Sequence, residues 1–315
     1  MDTQIHTASL PTLTSSAVLA SLNISVYNPR AKDKEIESEV QQAKGTRSRR
    51  AASVVKNPFA DCAELDAITA YAAKCRLWFN SVTLPWDDNG WRLLPMKLYL
   101  DTSTEVQTRR LHMDALVQTF LAALPAIISK QAFVMGAMFN REDYPSEDVL
   151  RAKFGMQVNI QPLPETRDFR VDAQSELITA MQQQYTEFAE QRVRSAMDDA
   201  WGRIRDKVQG IRDRLHEIQV YTPTAESVTD EDTGELRIVK SRKPKLYESM
   251  LDQGLALCDV LKSLNVTNDP KLEQARYELE RALMPVDIDS LRESPEVQTS
   301  VKSKMDEILA RMNGE

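Results

Sequence analysis

The sequence predicts a mainly α, elongated helical protein organised around one long helix. Three observations lead to this fold class. Only 9 of the 315 residues are glycine, whereas β folds and phosphate-binding loops use glycine freely in their turns. Residues 172–221 contain no proline and are rich in strong helix formers. Within that stretch, apolar residues recur at spacings of four and three, the heptad pattern of packed helices.

The heptad pattern forms a seam of apolar residues over three repeats. Its members are Met197, Trp201, Ile204, Val208, Ile211, Leu215 and Ile218. At ~1.5 Å per residue the helix spans roughly 70 Å, far longer than an average globular helix. Such a seam packs either on a return helix at residues 246–265, as a helical hairpin, or on a second subunit, as a coiled coil. The sequence leaves both arrangements open.

Amphipathic helices are predicted on both sides of the long helix. Residues 60–81 place apolar side chains at helical spacing, and residues 96–135 hold a long helical pattern. We expect a kink or a break at Pro125, after which PAIISKQAFVMGAMF continues as a helix. Asp269–Pro270 and Ser294–Pro295 each combine an N-cap residue with a first-turn proline, which predicts the starts of two C-terminal helices.

Minor β structure is predicted where apolar and polar residues alternate. We expect short strands near residues 22–27 and 156–161, and a hairpin over 226–240 around the turn DTGE. The pattern divides the chain into four segments: a disordered arm (1–21), a helical N-terminal domain (22–165), the long helix with a charged hairpin tip and a return helix (166–265), and C-terminal helices (266–315).

Charge is distributed unevenly along the chain. The formal net charge is −7, from 40 basic and 47 acidic residues. Residues 1–60 hold 8 basic and 5 acidic residues, a balance of +3, which leaves −10 for the remainder. An acidic body does not bind nucleic acid indiscriminately, so nucleic-acid binding requires a local basic element.

Two basic tracts are candidates for that role. The candidate nucleic-acid-binding residues are Lys44, Arg47, Arg49, Arg50 and Lys56 in the first tract, and Arg237, Lys240, Arg242, Lys243 and Lys245 in the second. Both tracts carry enough charge to contact phosphates, with an affinity that falls as salt rises. The alternative is that the first is a solvated connector and the second a solvated hairpin tip.

Motifs for catalysis, metal binding and cofactor binding are not found. The sequence contains no GxxxxGK[ST], GxGxxG or GxSxG, and its three histidines have no His or Cys at ligand spacing. We therefore predict no enzyme activity, no catalytic residues, no metal and no cofactor. Cys62, Cys75 and Cys258 suit free thiols in a reducing compartment, and no window is apolar enough for a membrane span. Trp86 and Trp91, on a polar loop, are candidates for an exposed contact.

Several blocks resemble an uncharacterised family of accessory proteins from phages and integrative elements. The blocks are LNISVYNPRAKDKE, the LPW of the two-tryptophan loop, RLLPMKLYLD, MFNREDYPSEDVLRAKF and DFRVD, within residues 22–172. The start of the sequence lacks the basic region of a signal peptide, which together with the free thiols predicts a cytosolic location. The resemblance implies that this is the cytoplasm of a bacterial host. It also implies a genetic neighbourhood of recombination proteins or a MoxR-type AAA+ ATPase, either of which is then a possible protein partner. It implies no activity and no catalytic residue.

These observations predict a non-enzymatic interaction or assembly protein of a phage or mobile element. We expect it to form a homo-oligomer through the heptad face. The alternative is a nucleic-acid-binding accessory of recombination or replication that uses the two basic tracts. A third class is an enzyme whose site is assembled from scattered residues, which would show as buried carboxylates or histidines in a deep pocket.

Overall fold

The protein is mainly α in the parts of the chain that the computed structural model describes. These are residues 16–46, 48, 52–163, 175–229, 236–241 and 244–314. The helices, in chain order, are α1 (Lys34–Ala43), α2 (Ala63–Ser81), α3 (Tyr99–Met135), α4 (Glu147–Arg151), α5 (Ser175–Gln219), α6 (Glu248–Leu264), α7 (Pro270–Leu283), α8 (Ile288–Glu293) and α9 (Pro295–Asn313).

Short strands make up the β structure. They are β1 (Ala17–Ser25), β2 (Ala31–Lys32), β3 (Val55–Lys56), β4 (Leu84–Pro85), β5 (Arg92–Pro95), β6 (Gly155–Pro162), β7 (Ala225–Thr229) and β8 (Leu236–Lys240). One sheet has the order β4-β5-β1-β6, and β2 pairs with β3. Strands β7 and β8 pair antiparallel, with Thr229 opposite Leu236 and Ala225 opposite Lys240, as expected for the predicted hairpin.

The predicted disordered arm at residues 1–21 is wrong at its C-terminal end. Residues 1–15 lie outside the described residues, but β1 begins at Ala17, and Ala17, Leu19 and Ala20 are buried. Strand β1 has neighbours on both sides in its sheet. A central strand reads as a run of small apolar residues, without the clear alternation that marks a half-exposed strand.

The chain divides into two compact units, each built from separate stretches of sequence. Among the described residues, the first unit contains the chain up to Leu19, Val82–Leu98 and the chain from Gln161 onward. The second unit contains Ala20–Ser81 and Tyr99–Ile160. This division differs from the contiguous segments predicted above, because a chain that leaves a unit and returns to it carries no local signal of doing so.

The core of the first unit forms around α5. This helix contacts α6, α7 and α9, and its apolar side chains join theirs in one cluster with Cys258, Leu279 and Met305. The predicted N-caps are present at two of these helices. Asp269 accepts hydrogen bonds from the backbone N–H groups at the start of α7, and Ser294 caps α9 in the same way. The caps satisfy donors that the first turn of a helix leaves unpaired.

The core of the second unit lies between α2 and α3. Phe59, Phe120 and Tyr144 are buried and share it, with the Phe59 ring centroid 5.8 Å from that of Phe120 and 5.2 Å from that of Tyr144. The Tyr144 hydroxyl donates a hydrogen bond to the Pro58 carbonyl at 2.8 Å. Ring packing and this buried hydrogen bond fix the chain that precedes α2.

Helix α3 continues through Pro125 as predicted, without the break that was one of the two outcomes expected there. It is one helix from Tyr99 to Met135, and Pro125 is exposed. The neighbouring Leu121, Leu124 and Ile127 are buried. Proline removes one helical hydrogen bond. Burial of the apolar side chains around it offsets that loss, so tertiary packing decides the outcome.

Candidate functional site

The heptad seam lies inside the first unit. Met197, Ile204, Val208, Ile211, Leu215 and Ile218 are buried in its core, and Trp201 packs against that core. The Trp201 indole also donates a hydrogen bond to a carboxylate oxygen of Asp269 at 3.1 Å. Because helices of the same chain cover the seam, its side chains stabilise the unit and are not exposed to a second copy.

The first basic tract offers few free charges among its described residues. Lys44 is exposed just after α1. The Lys56 ammonium lies 2.6 Å from a carboxylate oxygen of Asp143, and the Lys56 side chain is only 12% exposed. Arg47, Arg49 and Arg50 lie outside the described residues. A half-buried lysine with its own carboxylate partner is a poor phosphate ligand, so Lys56 serves the fold.

The second basic tract leads to a cavity. Arg237 and Lys240 lie on β8, whereas Arg242 and Lys243 lie outside the described residues. Lys245 is exposed, and its carbonyl accepts a hydrogen bond from the Arg214 Nε at 3.2 Å. This bond holds the chain before α6 against α5.

A cavity of about 270 Å³ lies between α5 and the start of α6, and we call it the basic cavity. The residues that line it include Lys207, Gly210, Arg214, Lys245, Tyr247 and Gln253. The lining includes three cationic side chains and no carboxylate. All of these residues belong to the first unit. Such a lining favours an anionic ligand over a cationic one.

The charges of the basic cavity are only partly compensated. The Lys207 ammonium donates to the amide oxygen of Gln253 at 3.1 Å, a neutral partner, and burial lowers the pKa of Lys207. The Arg214 Nη1 donates to Glu217 at 2.9 Å. Lys245 has no ion-pair partner among the described residues, so the cavity retains excess positive charge.

Sequence analysis missed two of the three cations. Lys207 and Arg214 stand seven residues apart, on either side of Gly210, within a helix dense in charge. A spacing of seven places both on one face, about 10 Å apart along the axis. The spacing was visible in the sequence, but the approach of Lys245 from another element was not.

A second surface feature is the outward face of α3. It is a line of exposed residues at spacings of three or four: Leu100, Thr104, Thr108, Leu111, Ala115, Thr119, Ala122, Ala126, Ser129 and Phe133. None of them is charged. Phe133 is 90% exposed and Leu111 is 70% exposed. Four of the ten are threonine or serine, so the features that distinguish this line are the lack of charge and its three exposed large apolar side chains.

The hydroxyl groups of the outward face are satisfied within α3 itself. Thr104, Thr108, Thr119 and Ser129 each donate to the carbonyl four residues earlier, at 3.0–3.2 Å. A hydroxyl that is already bonded loses less when water is removed. The outward face can therefore be covered by an apolar surface at low cost in unmade hydrogen bonds.

Other chemistry is sparse in the described parts of the chain. They contain no group of three or more His, Cys, Asp or Glu residues arranged to hold a metal. Cys62, Cys75 and Cys258 are free and buried, and burial raises the pKa of Cys258 to about 11. Trp86 is 6% exposed and lies in the core of the first unit. The interpretation of Trp86 as an exposed contact is therefore wrong, because the loop folds back onto its own unit.

One helix of the described residues, Met96–Met138, is long and apolar enough to cross a membrane by length and composition alone, so the expectation that no window is apolar enough is wrong for this helix. One third of its apolar window is buried inside the protein, and a core helix of a soluble protein passes the same test.

No protein-family model, no curated protein and no solved structure matches the chain. The resemblance to accessory proteins of phages and integrative elements therefore stays a prediction.

Proposed function

We propose that the chain is a non-enzymatic interaction and assembly protein whose copies pair through the outward face of α3. The observation that carries this proposal is the uncharged, exposed line from Leu100 to Phe133, whose hydroxyl groups bond within the helix. Exposed apolar surface of this kind marks interaction sites. The heptad face, through which the sequence analysis expected pairing, is covered within its own unit.

A second copy fits the middle of this face, where two pairs of its residues are symmetric about Ala122. Leu111 and Phe133 lie eleven residues before and after it, and Ala115 and Ser129 lie seven residues before and after it. In an antiparallel pair with its twofold axis at Ala122, each Leu111 meets the partner's Phe133, and each Ala115 meets the partner's Ser129. A twofold interface uses the same patch on both copies. It is therefore favoured when large side chains of the patch face large ones and small side chains face small ones. Small central residues also allow close approach of the helices.

The family resemblance suggests which proteins the paired chain could bind. It implies an AAA+ ATPase or a recombination protein as a further component, and a paired helical protein would present two copies of its remaining surface to such a component. Copurification from the native host, with and without nuclease, tests that part separately.

A cysteine placed on the twofold axis tests the pairing. In Ala122→Cys the two new thiols lie within disulfide range across the axis, because a disulfide needs Cα atoms about 4.4–6.8 Å apart. Mild oxidation should give a covalent dimer on non-reducing gels. The native cysteines are buried and should not compete.

Ala132→Cys is the matched control on the same helix. Ala132 is also exposed, but it lies ten residues from the axis, so the two copies of this cysteine would be roughly 30 Å apart. It should stay monomeric on the gel. Equal cross-linking of both variants, or none of Ala122→Cys, would refute the proposed geometry.

Loss of apolar area should weaken the pairing in solution. Phe133→Ser and Leu111→Ser each remove a large exposed side chain and should raise the dimer dissociation constant by about tenfold or more, since a buried large apolar side chain contributes ~1.5–3 kcal/mol. Met284→Ser, at a residue of the first unit that is 68% exposed, should leave it unchanged. Sedimentation velocity over a concentration series measures both. A wild-type chain that remains monomeric at high concentration contradicts the proposal.

A further inference from the structure

The basic cavity gathers three cations, of which only Arg214 has a carboxylate partner among the described residues. Lys207 and Arg214 project from α5, and Lys245 approaches from the chain before α6. Lys207 and Lys245 make no ion pair within the described residues, and the lining lacks carboxylates. Cations brought together in this way repel each other, so a bound anion would stabilise the arrangement.

Gly210 leaves room in the wall of this cavity. It lies in the interior of α5, where glycine costs about 1 kcal/mol relative to alanine. A Cβ added at Gly210 would meet nothing within 4 Å, so no neighbouring atom requires the glycine. What its absent side chain provides is open space between Lys207 and Arg214.

Tyr247 places an exposed aromatic ring at the same cavity. Its side chain lines the cavity, and the residue is 58% exposed. Tyr247 also occupies the N-cap position of α6 without a side-chain capping bond, so backbone N–H groups of the first turn add to the positive potential there. Aromatic rings beside cations bind nucleotides by stacking on the base while the cations hold the phosphate.

We propose that the basic cavity binds a nucleotide unit, with Lys207, Arg214 and Lys245 around the phosphate and Tyr247 stacked on the base. The volume of about 270 Å³ lies just below the ~300–1,000 Å³ of pockets that enclose a whole small molecule. It therefore holds the phosphate and sugar and leaves the base outside, against the ring. The nucleotide unit is either a free mononucleotide or part of a single strand. This proposal is independent of the pairing through α3.

Binding is measured by fluorescence anisotropy with a labelled single-stranded oligothymidylate at low salt. Unlabelled thymidine monophosphate and inorganic phosphate serve as competitors. If thymidine monophosphate displaces the oligonucleotide at a similar concentration of nucleotide units, the site is assigned to free nucleotides. If a much higher concentration of the mononucleotide is needed, the site is assigned to a single strand. Failure of both the oligonucleotide and the mononucleotide to bind overturns the proposal, as does binding of inorganic phosphate with equal affinity to the mononucleotide.

Charge variants locate the binding. Lys207→Gln and Lys245→Gln should each weaken binding by about 5- to 10-fold, in line with the loss of one charge-assisted contact. Lys304→Gln makes the same charge change at an exposed lysine of α9 and should leave the affinity unchanged. Equal weakening by all three variants would indicate a diffuse effect of net charge and overturn the assignment to this cavity.

Two further variants test the other parts of the proposed pose. Tyr247→Leu tests stacking on the base, and Gly210→Ala tests the space in the cavity wall. Tyr247→Leu should weaken nucleotide binding about fivefold or more and leave inorganic phosphate unaffected. Gly210→Ala should weaken nucleotide binding by narrowing the cavity, whereas Gly202→Ala, in the same helix and also free of contacts at Cβ, should not. Unchanged affinity in both Tyr247→Leu and Gly210→Ala contradicts the proposed pose.

Discussion

The Arg276 guanidinium is nearly buried within α7 and is held by two carboxylates of the same helix. Its side chain is 6% exposed, and it bonds to Glu273 and Glu280. The hydrogen bond from Arg276, followed by one from Lys262, lowers the pKa of Glu280. A carboxyl group with a depressed pKa stabilises the fold above its unfolded pKa, and this contribution is lost as pH falls through the folded value.

Glu280→Gln should therefore destabilise the protein in a pH-dependent way. At neutral pH we expect a loss of about 1 kcal/mol, because the partly exposed pair is screened by water. As pH falls through the lowered folded pKa of Glu280, the wild type loses this contribution as well, so the difference should shrink. Thermal unfolding at pH 7 and pH 3 measures it. Glu307→Gln, at an exposed glutamate of α9, is the control, and a gap that stays constant or widens in acid would contradict the assignment.

Single residues also show where sequence reasoning reaches its limit. Lys56 belongs to a basic tract, and its neighbours in sequence give it no acidic partner. Its partner is Asp143, 87 positions away, which lies 2.6 Å from it. A lysine is a suitable residue for a phosphate contact. Only its tertiary contact with Asp143 shows that Lys56 has a structural role. Lys207 is the converse case. A lysine on a charged helix has no local signal of function, and only the fold brings Lys245 and Tyr247 to the same cavity.

At the scale of the elements, Gly254 of α6 packs directly against Leu283 of α7. A Cβ at Gly254 would lie 2.5 Å from the Leu283 Cδ1 atom, and Leu283 is 1% exposed. The side chain of Leu283 is flexible in principle, but the surrounding core leaves it little space to move. Overpacking of a core typically costs ~1–3 kcal/mol.

Gly254→Ala should therefore destabilise the protein despite the higher helix propensity of alanine. The expected net loss is up to about 2 kcal/mol, the overpacking cost of ~1–3 kcal/mol less the ~1 kcal/mol that alanine contributes in a helix. Gly202→Ala has only the favourable term and should stabilise by up to about 1 kcal/mol. Urea denaturation of both variants gives the two signs. If both substitutions stabilise, α6 and α7 are not packed this closely.

Elements with strong local signals were predictable from the sequence. The long helix, the C-terminal helices with their Asp269 and Ser294 caps, and the hairpin β7–β8 follow from periodicity, capping chemistry and turn residues. The absence of a break in α3 at Pro125 and the burial of β1 did not follow. Both depend on which neighbours cover the element, and local propensity does not contain that information.

At the scale of the whole molecule, the two proposed surfaces differ in their electrostatics. The outward face of α3 is uncharged, and each copy of the chain carries a formal charge of −7. Pairing of two such copies is opposed by net repulsion, which salt screens. The basic cavity attracts its ligand through cations, and salt weakens that attraction.

Salt should therefore shift the two equilibria in opposite directions. Between about 50 mM and 300 mM sodium chloride we expect self-association to stay constant or strengthen, because screening reduces repulsion while burial of apolar area is little affected. Over the same range, oligothymidylate binding should weaken by about three- to fourfold, since the one phosphate that the cations hold gives a log–log slope near −0.7 for a single strand. Parallel titrations by sedimentation velocity and anisotropy measure both. Self-association that weakens with salt would indicate charged contacts outside the α3 face. Nucleotide binding that does not change with salt would show that the cations of the basic cavity do not contact the ligand.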